Sequence, residues 1–425
     1  MPTSWTPLLS GSLQAQALEA LRDIVTDVVA TPREKLPPNL LTGHAGFALF
    51  FDMVSRTLDS RLLDEVGVCL ERATELFVLA RERRPVAGLH MGLSGVGWAA
   101  ARIAANHPGL DVEELCEATD ELVERELGRS PFPHPCDIRD GVAGLGLYAL
   151  ERMPHPSGRR LLERVVEKLE ELAQPQGDGV SWPMPRAYWA LHGPEASFPR
   201  GLYMMGLAHG VPAVLAVLAA AHAHGVARER AEALLEKGFR WVARQAQPEG
   251  PPRFPMHLHG EEPFADPYAR FSWCAGNPGI VGVLWWAARV WGHPEWRART
   301  LTWATEVARE ALDQPRPHSS NLCCGTAGTA HVFHRLFRAT GVPLFEEAAV
   351  LWTRHTLALR QPGVGVGGYV LGQFAQEPER AVADLQFGAA GTALALLAAV
   401  SNVEPDWDQA FLFSLTPDRA SKPGT

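Results

Sequence analysis

The feature that most limits what this chain can fold into is a short glycine motif that recurs. Gly-x-x-Gly, or a close variant, opens an apolar stretch seven times: Gly43-His-Ala-Gly46, Gly92-Leu-Ser-Gly95, Gly141-Val-Ala-Gly144, Gly210-Val-Pro-Ala213, Gly276-Asn-Pro-Gly279, Gly325-Thr-Ala-Gly328 and Gly388-Ala-Ala-Gly391. Successive first glycines are 49, 49, 69, 66, 49 and 63 residues apart. A local signal returning at such a period marks a repeat architecture, in which no unit buries its apolar face alone. The fourth copy has Ala213 where the others have their second glycine.

The stretches after the motifs, 47–53, 96–105, 145–150, 214–221, 280–290, 329–337 and 392–400, are nearly all apolar. A helix that is apolar all round is buried. Between them, 13–29, 62–79, 113–127, 158–172, 228–246, 295–312 and 343–359 carry one apolar stripe at i, i+3, i+4. In 13–29 that stripe is Ala17, Leu18, Leu21, Val25, Val28 and Val29. Each repeat is therefore one amphipathic helix followed by one buried helix, about 14 in all, and the class is all-α. No strand–helix alternation points to a parallel sheet. The pairs can stack as an open solenoid or close into a ring, with the glycine turns gathered at one end. A glycine at such a turn permits positive φ and close backbone approach. The ring is favoured, because the candidate chemical residues sit at the turns and only closure brings them together. The expected organisation is one domain over 1–415, with insertions at about 174–200 and 247–268 and a frayed tail at 416–425.

With 46% hydrophobic residues the chain can bury a large core. Its net charge of −9 argues against a nucleic-acid binder. Six cysteines in 425 residues are not a disulfide framework, and Cys69 and Cys116 fall on amphipathic helical patterns and read as core. The start, Met-Pro-Thr-Ser-Trp-Thr-Pro, has no basic region followed by an apolar run, so no signal peptide is expected. The longest apolar run, 211–221, is too short to span a bilayer. A cytoplasmic protein with reduced thiols and no integral membrane segment is the expectation. The glycine-rich 361–376 has no strand before it and no helix after it, and so does not read as a phosphate loop.

Four of the seven turns carry reactive side chains just before their first glycine. Cys136-Asp137 precede Gly141, His209 precedes Gly210, Arg270 and Cys274 precede Gly276, and Cys323-Cys324 precede Gly325. Each alone has a bland reading: a core cysteine, a helix-capping His or Asp, an ion-paired arginine. Their arrival at one structural point of consecutive repeats points instead to a functional site. Cys274, Cys323 and Cys324 offer three thiolates at the mouths of two helices, which suits a Zn²⁺ site with one position left open. A closed structural site would need a fourth protein ligand.

The stretches Arg270-x-x-Trp273-Cys274-x-Gly276-x-Pro278-Gly279, Cys323-Cys324-Gly325-x-x-Gly328 and Gly206-Leu-Ala-His209-Gly210 resemble the signatures of the lanthionine synthetase C-like cyclases. The resemblance covers essentially the full chain, including the seven glycine turns. It implies an α/α toroid of seven inner and seven outer helices with one catalytic zinc. It implies that thioether rings are closed in ribosomally made peptides, by adding a cysteine thiol to dehydroalanine or dehydrobutyrine. Carried onto this sequence, it makes Cys274, Cys323 and Cys324 the zinc ligands, His209 and Asp137 the catalytic pair, and Arg270 an active-site arginine. The commonest family version has Cys-His at the last pair; the Cys-Cys here matches a subset. The resemblance also implies a leader-bearing, dehydrated precursor peptide as substrate and a separate dehydratase as partner. This chain is too short to include a dehydratase domain.

A free thiol has a pKa near 8.5 and is little ionised at neutral pH, and Zn²⁺ deprotonates a coordinated thiol. Three thiolate ligands leave the zinc unit at a formal charge of −1, which keeps more electron density on an incoming substrate sulfur than a Cys₂His set does. Attack on the dehydro β-carbon produces an enolate, whose charge Arg270 could stabilise. His209 could take the thiol proton or protonate the α-carbon, and Asp137 could hold its tautomer. Two other readings stand beside this one. Relatives outside peptide biosynthesis bind glutathione or add it to dehydroamino acids in proteins. Other toroids process glycosides with paired carboxylates or transfer prenyl groups with a differently spaced zinc site.

Overall fold

Two kinds of helix alternate along the chain, and burial tells them apart. The computed structural model describes residues 5–82, 86–191, 198, 201–247, 252–259, 262–264, 270–313, 319–371 and 380–416. The outer helices are α1 (Gly11–Ala30), α3 (Leu63–Arg81), α5 (Glu113–Leu127), α7 (Pro156–Leu172), α9 (Arg228–Gln245), α11 (Pro294–Asp313) and α13 (Pro343–Ala358). The inner ones are α2 (His44–Thr57), α4 (Ser94–Asn106), α6 (Val142–Glu151), α8 (Val211–Ala223), α10 (Asn277–Trp291), α12 (Thr326–Thr340) and α14 (Ala389–Val400). Every residue of α14 is buried, whereas α7 buries one stripe that includes Leu161, Leu162, Val165, Val166 and Leu169. Each inner helix packs on the next, and α14 packs back on α2, so the ring closes. The fold is an all-α toroid of seven inner and seven outer helices.

Closure is also written in the backbone. The residue two places before each first glycine offers its carbonyl to a neighbouring turn, and these bonds form one circuit. Leu385 N–H donates to Leu41 (3.0 Å), Leu41 to His90 (3.2 Å), His90 to Arg139 (2.9 Å) and Ile138 to Ala208 (3.3 Å). The circuit continues from Ala208 to Cys274 (2.9 Å), Cys274 to Cys323 (3.2 Å) and Cys323 to Gln386 (3.1 Å). Buried backbone groups must be paired, and here the pairing stitches all seven turns into one rim.

The rim explains the glycine motif, and it corrects one expectation. The first glycines do not use positive φ: Gly43, Gly141 and Gly210 have φ of −122°, −114° and −120°. What excludes a side chain is close approach. A Cβ on Gly279 would lie 1.9 Å from the Trp273 carbonyl oxygen, and one on Gly328 would lie 1.9 Å from that of Leu322. In the six copies that have it, the second glycine thus lets the turn fold back on the first turn of its helix; the fourth copy has Ala213 there.

The expected insertions meet. The first holds a hairpin of β1 (Gln174–Gln176) and β2 (Gly179–Ser181). Strand β3 (Leu202–Met204), just after it, pairs antiparallel with β4 (His257–His259) of the second insertion, Tyr203 opposite Leu258. β5 (Glu262–Phe264) completes a three-stranded sheet in the order β3-β4-β5. Met205 N–H donates to Met256 O (2.9 Å), which anchors the sheet beside turn four. Residues 192–197, 199–200, 248–251, 260–261 and 265–269 of these insertions lie outside the described residues, as does the expected tail beyond Thr416. The glycine-rich segment at 361–371 is a tight turn on α1, with Gly367 N–H donating to Asp27 (2.7 Å).

The segment after α14 has no counterpart in the repeats. Residues 401–416 turn into the ring, where Trp407, Phe411, Leu412 and Phe413 are each at most 2% exposed. Burying an aromatic side chain of this size is worth about 1.5–3 kcal/mol. The segment reaches α12 through Asp408 and Arg335 (2.5 Å), and α4 through Gln409 and Arg102 (2.8 Å). It thus bridges helices well apart in the ring order and plugs the interior. No helix among the described residues is long and apolar enough to cross a membrane.

Candidate metal centre and active site

The circuit of turns decides which side chains meet. Turns three to six are consecutive in it, and they carry Asp137, His209, Cys274 and Cys323-Cys324. The sulfur atoms of Cys274, Cys323 and Cys324 lie within 4.8 Å of one another. Cys274 Sγ is 3.4 Å from Cys324 Sγ, which is 3.6 Å from Cys323 Sγ. A disulfide needs about 2.05 Å, so these are three free thiols. Tetrahedral zinc with Zn–S bonds of about 2.3 Å would set its sulfurs about 3.8 Å apart. The donor set and its spacing therefore fit zinc, with three ligands from the chain. Hydrogen bonds from Cys323 and Cys324 hold the Cys274 thiol well below its ordinary pKa.

His209 stands at turn four, and its Nδ1–H donates to Asp137 Oδ2 at 2.7 Å. Asp137 is buried and its second oxygen accepts from Asp140 N–H (2.9 Å), so the carboxylate is held from both sides. Burial disfavours the charged imidazolium, but the Asp137 hydrogen bond, its charge and that of Cys274 outweigh it, so the His209 pKa is raised. With Nδ1 committed to Asp137, Nε2 is the nitrogen left to exchange a proton. Ala208 N–H donates to the Cys274 carbonyl, which places the His209 turn directly beside the thiol turn.

Arg270 lies before turn five, where its guanidinium pairs with Glu310 of α11 and packs on Phe271, 5.5 Å from the ring centre. Its backbone carbonyl accepts from Asn277 N–H at the start of α10 (3.0 Å). The side chain is thus anchored toward the outer ring. Cys69 and Cys116 are core residues, their thiols pushed up by burial to about 11 and about 12. Cys136, beside Asp137, is also pushed up by burial.

Two site neighbours escape the sequence reading, although both occupy the same rim position as Cys274 and Cys323. Gln386, in turn seven, brings its side-chain amide to 3.9 Å from Cys323 Sγ. His90, in turn two, is buried beside Trp273, with ring centres 6.2 Å apart, and donates from Nε2 to the Ala410 carbonyl (2.8 Å). Burial pushes its pKa down to about 4, so it stays neutral. Trp273 Nε1–H donates to the Phe411 carbonyl (2.7 Å), so the plug braces the turn that carries Cys274. The usable signal was positional: these residues stand two places before a first glycine.

Comparison with known proteins accords with this geometry. No curated protein sequence matches the chain. Among solved structures, nisin cyclase superposes with a TM-score of 0.71 at 16% identity, over 95% of this chain and 98% of that one, and so shares the fold. An unsaturated glucuronyl hydrolase from a streptococcus is a remoter likeness, at a TM-score of 0.48 and 9% identity over 92% of each chain. The sequence model of the family described as lanthionine synthetase C-like protein matches residues 34–412, from before the first glycine turn to within the plug, and the chain therefore belongs to the lanthionine synthetase C-like family.

Proposed function

We propose that this protein is a zinc-dependent cyclase acting as a single toroid domain. Its reaction adds cysteine thiols of a ribosomal precursor peptide to dehydroalanine or dehydrobutyrine, giving lanthionine or methyllanthionine. The observation that carries this reading is the meeting of Cys274, Cys323 and Cys324 within 4.8 Å of one another, beside the His209–Asp137 pair. Family membership supports the same class of chemistry. The substrate is read as a leader-bearing peptide dehydrated by a separate enzyme, and the thiols as those of a reducing, cytoplasmic setting.

Zinc held by the three thiolates would supply an open position at which a substrate thiol loses its proton near neutral pH. The residues of the chain do the rest. His209 accepts the thiol proton and returns one to the α-carbon. Between these transfers the sulfur bonds to the β-carbon, and the double-bond electrons pass to the enolate. Asp137 orients the His209 ring and supports its charge. Arg270, anchored by Glu310, offsets enolate charge at turn five. Arg270→Lys, which keeps the charge, should retain more of the rate than Arg270→Gln if the role is electrostatic; equal losses would make Arg270 a brace of turn five.

The test is metal content by mass spectrometry on the wild type and Cys274→Ala, followed by incubation with a dehydrated precursor peptide and counting of free thiols. About one zinc per chain, lost in the variant, together with thiol consumption only by the wild type, is the expected outcome. Wild type that carries no metal and takes up none from added Zn²⁺ would overturn the mechanism. Consumption of glutathione in place of the peptide thiols would reassign the substrate.

A further inference from the structure

Outside the toroid's rim, one surface is built unlike the others. An open groove of about 960 Å³ lies between outer helices α3 and α5. Its floor is core-like: Leu70 and Phe77 of α3 are 7% and 1% exposed, and Leu115 of α5 is half-buried. Its rim is apolar but open to solvent, with Val78 and Leu79 52% and 58% exposed and Leu110 37%. Of ten large hydrophobic residues exposed among the described residues, three, Val78, Leu79 and Leu110, line this one groove. Scattered exposed apolar residues are ordinary, but several gathered around one groove mark an interaction surface.

The shape and charge of the groove select its occupant. It follows α3 from Gly67 to Arg81, about 21 Å at 1.5 Å per residue, which is room for about four helical turns. Gly67 is exposed at one end of the groove, and a Cβ there would meet nothing within 4 Å. The polar edge is acidic. Glu71, Asp111 and Glu114 line it, while Arg81 leans toward Glu121 (3.9 Å). Glu75 of α3 lines it too, so four carboxylates and one arginine border the groove. Such a flank repels nucleic acid and anionic lipid, and equally a second copy of a chain whose net charge is −9. We infer that the α3–α5 groove docks an amphipathic helix of a partner polypeptide, apolar on the face it buries and lysine- or arginine-rich along its flanks. This is helix-in-groove recognition, with anchors at i, i+3, i+4 and i+7.

The experiment uses the full chain and a fluorescein-labelled, 16-residue peptide of Leu and Lys, with Leu at helical spacing and Lys elsewhere. A second peptide with Glu in place of Lys is the control. Binding is read by anisotropy against the wild type and Gly67→Lys. The variant places a cation at the open end of the groove and favours the helix, since Lys exceeds Gly in helix propensity. Unchanged melting temperature and metal content show that the fold is intact. The Lys peptide is expected to bind the wild type, the variant to bind it at least about tenfold more weakly, a difference of about 1.4 kcal/mol, and the Glu peptide not to bind. Equal binding of both peptides, or of the Lys peptide to both proteins, would overturn the assignment. So would a wild-type dimer in light scattering that Gly67→Lys dissociates, because a second copy would then cover the groove.

Discussion

Two histidine–carboxylate pairs in this protein have the same length and opposite characters. His209 donates to Asp137 at 2.7 Å on the rim, and His331 meets Asp408 at 2.7 Å between α12 and the plug. The His209 pKa is raised, whereas that of His331 is lowered. Burial works against charge on both, and the carboxylate works for it on both. The remaining neighbours decide. His209 has the Cys274 sulfur nearby and keeps 32% of its side chain exposed. His331 is fully enclosed, and Arg335 repels its proton while sharing Asp408, which also accepts from Ser414 (2.8 Å). A carboxylate already committed to an arginine cannot stabilise imidazolium as well. The geometry of the pair alone therefore does not distinguish the two histidines; the charge around it does.

The largest expected contrast is in rate. His209→Ala should slow ring closure by about 10²–10⁴-fold with its zinc retained, whereas His331→Ala should leave the rate per folded molecule near that of the wild type. Loss of metal from His209→Ala would make His209 a ligand and end the comparison as drawn. The contrast reverses for stability. Asp408→Ala strands the buried Arg335 and should cost about 3–5 kcal/mol in urea unfolding, well beyond Asp137→Ala. Equal midpoints for the two variants would show that the plug pair carries no special structural weight.

A smaller effect is expected where the rim touches the thiols. Gln386→Leu removes the amide beside Cys323 and should weaken metal binding by about 10–100-fold in chelator competition. An unchanged affinity would reduce the contact to packing. The smallest effect is in pH dependence, measured on metal-stripped protein. Asp408 is lowered to about 2, because Arg335 and His331 overcome its burial. Its stabilisation is complete above the ordinary carboxylate value near 4 and fades as pH falls toward 2. His209 is raised, so its contribution is complete below about pH 6.5 and fades as pH climbs through the folded value. The two pairs should thus weaken at opposite ends of the scale, and Asp408→Asn and Asp137→Asn should each flatten only its own end. If both variants flatten the acid limb, the two environments are more alike than their neighbours imply.

Much of the ring was legible because its signals are local. All fourteen helices follow the expected alternation, since a stretch apolar all round has nowhere to go but inside. The inner helices begin earlier than periodicity alone suggests, at His44, Val142 and Thr326 where the apolar runs point to 47, 145 and 329. The reason is that the first glycine is the N-cap and the motif itself forms the first turn. The thiol triad was legible because Cys is scarce in this chain, and Cys274 and Cys323 fall at equivalent points of two turns with Cys324 next to the second. Arg270 was legible as a residue of turn five, but its pairing with Glu310 was not.

The sequence by itself determined the helical repeat, the ring as the arrangement that unites the turns, and the residue types that gather there. Only the tertiary structure decided which groups share a proton, which insertions pair into one sheet, and what fills the interior. His90 meets Ala410 across 320 residues and Trp273 meets Phe411 across 138. No local pattern encodes such contacts, because a plug of Trp, Phe and Leu satisfies the same hydropathy wherever it is buried. The pKa of each histidine depends on charges brought near it by the closed ring, and these exist only once the chain has folded.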